Sequence, residues 1–272
     1  MSFTWVFLLI LTIIFITFVL WNFPWLTAYY KPNISTFKIE VNKKVLIVSD
    51  LHLSPSNIKY KPLEKIVKKE NVKYLVIAGD FIEYKHKEIE EEKLIKILEK
   101  ILKKLNINQE DLTIFYIPSK SSHDPKINKN IEFQLNSIKV HIIDGILRLV
   151  SKNATLYITH GDYASRDGGI AATINRTLKL LGVDLFLEKL LRKILKVEEN
   201  SWLIMGHTHI PGIDESSRVA NCGAWSRHIL RKESNTAILV DGKSIKMLRA
   251  ENNSKQVMSK VEHVEPDTIR LT

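Results

Sequence analysis

Apolar residues fall into three patterns along this chain, and each predicts a different element. From Phe3 to Trp25 they run almost without interruption, and no charged side chain occurs between Met1 and Tyr30. About twenty helical residues cover the roughly 30 Å hydrocarbon core of a bilayer, so residues 1–30 are expected to form a transmembrane anchor. Trp5, Trp21 and Trp25 stand near its ends, where aromatic rings favour the interface. The second pattern is short runs rich in β-branched and aromatic residues: Val45–Val48, Tyr74–Ala78, Ile114–Ile117, Leu156–Ile158 and Trp202–Met205. These are expected to be buried strands. Further strands are expected around Val219, at Thr236–Val240 and at Ile245–Leu248. The Asp241-Gly242 pair between the last two is a hairpin signal.

The third pattern has helical period. Ile89, Leu94, Ile97, Leu98, Ile101, Leu102 and Leu105, within His86–Leu105, are separated by Lys and Glu, which predicts a helix packed on a sheet with a solvated charged face. Ile170, Ile174, Leu178 and Leu181 form another stripe. Gly182 interrupts it, and Leu185, Leu187, Leu190, Leu191, Ile194 and Leu195 follow among basic residues. Two basic amphipathic helices over 168–199 fit either a lid accepting acyl or isoprenoid chains or a plain cover for the sheet edge.

Beyond the anchor, about 240 residues remain, enough for one α/β domain with a covered core. The expected organisation is an anchor at 1–30, a tether and domain entry at 31–44, a catalytic domain at 45–250 and a flexible polar tail at 251–272. The net charge of +10 suits an anionic membrane surface or nucleic acid. The apolar segment tips that choice to the membrane and away from nucleic acid. Lys31, Lys38, Lys43 and Lys44 follow the apolar segment, so the positive-inside rule places the domain in the cytoplasm of a single-pass protein. A secretory leader is the rival expectation, but no Lys or Arg precedes the stretch and Leu26-Thr27-Ala28 is a poor cleavage site. Cys222 is the single cysteine, which excludes an intrachain disulfide and fits a reducing compartment.

Chemistry enters at the ends of the expected strands. Asp50-Leu51-His52, Gly79-Asp80, His123-Asp124, His160-Gly161-Asp162 and Gly206-His207-Thr208-His209 each follow an apolar run, and they hold five of the nine histidines. In open α/β sheets, side chains just past the C-terminal strand ends converge on one crevice. Imidazole mixed with carboxylate suits Zn, Fe or Mn, whereas carboxylate alone would favour Mg or Ca. This order predicts a site for two divalent metal ions.

Across residues 45 to 210 the ordered set Asp-x-His, Gly-Asp, His-Asp, His and Gly-His-x-His resembles the calcineurin-like metallophosphoesterase family. That resemblance implies two mixed sheets packed face to face with helices outside, a four-layer α-β-β-α sandwich, with the late strands around Val219, at Thr236–Val240 and at Ile245–Leu248 completing the second sheet. It also implies Asp50, His52 and His209 on the first ion, His160 and His207 on the second, and Asp80 between them. His123 would be the catalytic proton donor near the leaving group. Two divalent ions, with Mn favoured over Fe or Zn, would activate water and clamp the phosphate.

The third motif departs from the family pattern. Where the family has Gly-Asn-His-Asp or Gly-Asn-His-Glu, this chain has Pro118-Ser119-Lys120-Ser121-Ser122-His123-Asp124. Anchoring on His123 puts Ser122 in place of the metal-binding Asn. Phe81-Ile82-Glu83 and the Arg166-Asp167 pair that follows His160 resemble the branch containing UDP-2,3-diacylglucosamine pyrophosphatases. Val219-Ala220-Asn221-Cys222-Gly223-Ala224-Trp225 resembles the Asn-x-Gly-Ser-Trp strand end of these enzymes. Arg166 and Asn221 are accordingly expected to bind substrate. The resemblance points to a membrane-anchored phosphoesterase for a phosphate ester or pyrophosphate, with a lipid-linked substrate favoured. The alternatives are a tethered nucleotide or nucleic-acid phosphodiesterase and a non-catalytic metal-binding scaffold.

Overall fold

The computed structural model describes residues 3–27, 32–40, 43–54, 62–85, 87–107, 109–120, 123–227, 233–250 and 261–263. The first apolar run forms α1 (Phe3–Asn22), 20 residues without a charge, followed by a 3₁₀ turn at Pro24–Leu26. It is the one described helix long and apolar enough to cross a membrane, a property that a leader sequence shares.

The domain follows in chain order as β1 (Ile34–Lys38), β2 (Val45–Val48), α2 (Leu63–Lys69), β3 (Tyr74–Ala78), α3 (Glu91–Lys104) and β4 (Thr113–Ile117). Then come β5 (Ile131–Leu135), β6 (Ile138–Ile142), β7 (Ile146–Val150), β8 (Thr155–Ile158), α4 (Gly168–Leu180) and α5 (Phe186–Ile194). The chain closes with β9 (Trp202–Met205), β10 (Gly212–Asp214), β11 (Val219–Asn221), β12 (Thr236–Asp241), β13 (Ser244–Ala250) and β14 (Val261–His263).

Two mixed sheets result. One has six strands in the order β1-β7-β8-β9-β11-β10, the other eight in the order β14-β13-β12-β2-β3-β4-β6-β5. Three apolar layers hold the sandwich. Between the sheets, Val45, Ile47, Val76, Phe115 and Ile117 meet Leu147, Leu149, Leu156, Ile158 and Ile204. Behind the larger sheet, Leu46, Leu75 and Ile114 pack on Leu63, Ile66, Leu94, Leu98 and Ile101 of α2 and α3. Leu203 and Val219 of the smaller sheet pack on Ala171, Leu187 and Leu191 of α4 and α5. This is the expected four-layer α-β-β-α arrangement, because central strands such as β2, β3 and β4 bury side chains on both faces and the domain's helices each bury one stripe.

Three details differ from expectation. Ile34–Lys38, assigned to the tether, is an edge strand in parallel register with β7, Ile34 opposite Ile146, and its alternate residues are half-buried. The late strands do not share one sheet. β11 lies beside β9 in the smaller sheet, whereas the β12–β13 hairpin joins β2 in the larger one. In α4 the buried positions are Ala171, Ala172 and Asn175, so small residues meet the sheet while Leu181, counted in the apolar stripe, is 73% exposed. Of the expected tail, Val261–His263 pairs with β13, and its other residues lie outside the described ones.

The register explains how distant residues meet. β2, β3 and β4 are parallel neighbours, as are β8 and β9, and the segments that follow all five emerge on one edge of the sandwich.

Candidate metal centre

At that edge, the loop after β2 zips to the loop after β3. Asp50 N–H bonds to the Gly79 carbonyl at 3.1 Å, His52 N–H to that of Asp80 at 2.8 Å, and Leu53 N–H to that of Phe81 at 2.8 Å. Asp124 secures the crossing from below. One of its carboxylate oxygens accepts from Phe81 N–H and Ile82 N–H, both at 2.9 Å, and the other from Ser119 N–H at 2.9 Å. The segments after β2, β3 and β4 therefore form one rigid unit.

The backbone is forced at the residues that matter. Asp50, His52, Asp80, His207 and His209 all have φ between 48° and 69°, a left-handed region that costs residues other than glycine of order 1–3 kcal/mol each. Two glycines keep the space open. A Cβ on Gly79 would lie 2.4 Å from His160 Cγ, and one on Gly206 would lie 2.1 Å from Ser49 Oγ and 2.5 Å from Asp50 Oδ2.

Three sets of side chains converge: Asp50, His52 and His209; His52, Asp80 and His123; and Asp50, Asp80 and His160. Within each set one potential ligand atom per residue lies within 4.8 Å of the others. Asp50 is fully buried. Its Oδ2 accepts from Ser49 Oγ at 2.6 Å and His207 N–H at 3.0 Å. Its Oδ1 faces Nε2 of His209 at 2.9 Å and of His52 at 4.0 Å. Asp80 Oδ2 lies 3.4 Å from His160 Nε2 and 3.6 Å from His52 Nε2, placing one carboxylate between both groups of imidazoles.

The imidazoles are aimed by their second nitrogens. His160 Nδ1–H donates to the Ala78 carbonyl at 3.0 Å, and His207 Nε2–H donates to the Ser165 carbonyl at 2.7 Å. Since a carbonyl only accepts, the opposite nitrogens, His160 Nε2 and His207 Nδ1, meet at 3.0 Å as two lone pairs. Such a contact requires a positive charge, either a proton or a divalent ion. The charge balance agrees. Burial lowers the His160 imidazole, but the Asp80 carboxylate outweighs it and raises it well above the usual value. Burial and the neighbouring His160 push His207 down to about 4. Burial would raise the Asp50 and Asp80 carboxyls, yet His209 and His160 respectively hold them well below the carboxylate range. Two buried carboxylates among four buried or nearly buried imidazoles are the donor set of a transition-metal site, and the residues present fit two ions.

His123 is half-exposed. Its Nδ1 and that of His52 both reach Glu83, at 3.1 and 2.6 Å, and their rings meet edge-on at 4.4 Å. Glu83 therefore orients two imidazoles at once. Sequence reading quoted Glu83 only as part of a family likeness; its signal was a third residue after Asp80 on the same loop. The other missed residue is Ser119, whose Oγ donates to Asp80 Oδ1 at 2.5 Å. Ala78 and Ile117 are register partners, so Asp80 and Ser119 stand side by side, each two residues further on. Ser122, expected in that place, lies outside the described residues.

The two residues expected to contact substrate have partners within the protein. The Arg166 guanidinium stacks over the Trp21 ring, 4.4 Å from its centroid, a cation–π contact with the end of α1. Asn221 is fully buried. Its Nδ2 serves Glu188 and the Gly206 carbonyl at 2.7 Å and Thr208 at 3.0 Å, and its Oδ1 accepts from Gly223 N–H at 2.9 Å. All its polar capacity is spent inside the protein. Glu188, also bonded by Asn175 at 2.8 Å, ties α5 to the His207–His209 loop. The α4–α5 pair is thus fastened to the site as a cover, with Leu180, Leu181 and Val183 exposed at its turn.

The sequence profile of the calcineurin-like phosphoesterase superfamily domain matches residues 44–244. No curated protein matches the chain. Among solved structures, the chain is similar to a conserved uncharacterized protein, a predicted phosphoesterase, from Streptococcus pneumoniae TIGR4. Identity is 14%, over 81% of this chain and 97% of that one, with a TM-score of 0.36. It is also similar to zinc-complexed Vps29 from Entamoeba histolytica, at 11% identity over 81% and 98% of the two chains, TM-score 0.36. A third is an archaeal phosphodiesterase, at 15% identity over 75% and 98%, TM-score 0.32.

Proposed function

This chain belongs to the calcineurin-like phosphoesterase superfamily, hydrolases of phosphoester bonds, and we propose that it is a membrane-anchored, two-metal member acting on a phosphate ester or pyrophosphate at the bilayer surface. The observation that carries the metal assignment is Asp80, a buried carboxylate with His52 and His160 on either side of it. Asp50, His52 and His209 would hold one ion, His160 and His207 the other, and Asp80 both. Ser119 supplies a third-motif hydroxyl beside Asp80. Mn is the first choice of metal, then Fe or Zn, on donor chemistry. Two ions held by these residues would supply a lowered pKa for water and polarisation of the phosphate oxygens.

The protein's own groups do the rest. Glu83 turns the His52 and His123 rings, and His123, at the accessible side, donates the proton that the leaving oxygen takes up. The Asp124 carboxylate, through its three N–H bonds, keeps the β3 and β4 loops in register with the site.

A lipid-linked substrate is supported by α1 and by the exposed Leu180, Leu181 and Val183. The local motifs around Glu83 and His160 favour the branch containing UDP-2,3-diacylglucosamine pyrophosphatases. Lysines following α1 favour a cytoplasmic domain, preceded by the anchor at 1–30.

The test is hydrolysis of an aryl phosphodiester and of a lipid pyrophosphate in vesicles by metal-stripped protein resupplied with Mn. Restored turnover that is faster on the lipid is expected. Asp80→Asn should abolish it, a loss of about a thousandfold or more, while His123→Ala should keep metal binding and lose turnover. Activity indifferent to metal removal would refute the proposal.

A further inference from the structure

The end of α1 does more than leave the bilayer. Asn22 and Pro24 are buried and Trp25 half-buried against the domain. The Asn22 carbonyl accepts from Arg166 N–H at 2.9 Å, the Trp25 indole N–H donates to the Ala164 carbonyl at 2.9 Å, and Arg166 stacks on Trp21. These contacts grip the residues on either side of Ser165. Ser165 is itself buried, and its carbonyl is the acceptor that fixes the His207 ring. A backbone carbonyl can orient an imidazole only as well as its own chain is held, and residues 21–25 contact both neighbours of this one, adding to the Ala164 N–H bond to the Gly161 carbonyl at 2.9 Å.

We propose that the α1 exit is a positioning element of the metal centre, with Trp25 as its principal positioning residue, acting on His207 through Ala164 and Ser165. The apolar segment is then required in the mature protein, since cleavage near Ala28, as for a leader, would remove Trp21, Asn22 and Trp25 together. The inference rests on the two-ion assignment for its metal readout and is independent of it for its histidine readout.

The experiment uses the full chain in nanodiscs, comparing the parent with Trp25→Phe, which keeps the ring and removes the N–H. Mn binding is followed by calorimetry, and histidine ring nitrogens by ¹⁵N resonance in the metal-free protein. The expected result is a selective weakening of one of two binding steps by roughly tenfold, with the other step unchanged. The His207 ring should lose its fixed Nε2–H tautomer, and His160, whose Nε2 it meets at 3.0 Å, should be the one other histidine to shift. Should Trp25→Phe fail to fold, Arg166→Gln, which removes the stack on Trp21 at the exposed side, should give the same selective pattern. Unchanged binding with an unchanged His207 resonance would overturn the proposal. Equal weakening of both steps with shifts across all histidines would also overturn it, since that marks general destabilisation. A parent binding fewer than two ions would refute the two-ion assignment alone, leaving the His207 resonance to decide the coupling.

Discussion

The two halves of the candidate metal centre are anchored by different means. On the open side, His52 and His123 share one carboxylate, that of Glu83, which is itself exposed. On the closed side, His160 and His207 are buried and held by the carbonyls of Ala78 and Ser165. A side-chain anchor can be replaced without moving the fold. A carbonyl anchor can be changed only by moving backbone, so the closed half inherits the position of whatever holds that backbone, including the end of α1.

This contrast predicts which substitutions act on which half. The largest effect is expected from Gly79→Ala. Its φ of +79° and a Cβ 2.4 Å from His160 Cγ would cost about 1–3 kcal/mol of backbone strain and drive His160 from Asp80. Metal titration should show the closed-side ion lost and turnover down by roughly a hundredfold or more. Glu83→Gln should do the reverse. The Glu83 carboxyl is held low by its bond to His123, then by that to His52, and losing that charge should weaken the open-side ion by about 10- to 100-fold with the closed-side isotherm unchanged.

Asn221→Ala separates structure from substrate binding. Leaving Glu188 and the Gly206 carbonyl short of a donor should cost about 1–3 kcal/mol. That is a fall in Tm of roughly 2–4 °C per kcal/mol for a domain of this size, with KM unchanged. A raised KM at unchanged Tm would restore Asn221 as a substrate contact. Ser119→Ala is expected to be smallest, about 1 kcal/mol, seen as a several-fold weaker binding of both ions because Asp80 serves both halves.

The same contrast marks what was legible in the sequence. Asp50, His52, Asp80, His160, His207 and His209 could be picked out because ligand-type side chains directly follow β-branched runs, and parallel register then brings those strand ends together. The individual strands and helices follow from the three hydrophobic patterns, whereas their four-layer arrangement is what the family resemblance implies. Carbonyl anchors left no trace, since every residue carries a carbonyl and only its placement distinguishes Ala78 or Ser165. The left-handed backbone at five site residues left only a weak trace, since Asp and His enter that region more readily than most residues but seldom. Ser119 has no signal of its own, because His123 fixes the alignment of the third motif and the β3–β4 register that sets Ser119 beside Asp80 is not written in the sequence. Ile34–Lys38 reads only as tether and domain entry because a half-exposed edge strand has little apolar signal until β7 is there to pair with it. Arg166 and Asn221 were assigned by family likeness alone, and their local partners, Trp21 and the Glu188 network, lie far away in the chain.

The central claim is that Asp80 joins two metal ions into one site. Mn binding to the metal-stripped full chain, followed by calorimetry and by electron paramagnetic resonance, tests it most directly. Two bound ions with a spin-coupled signal are predicted, and Asp80→Asn should weaken both binding steps and abolish the coupling. One ion per chain, or two uncoupled ions that Asp80→Asn leaves undisturbed, would contradict the account.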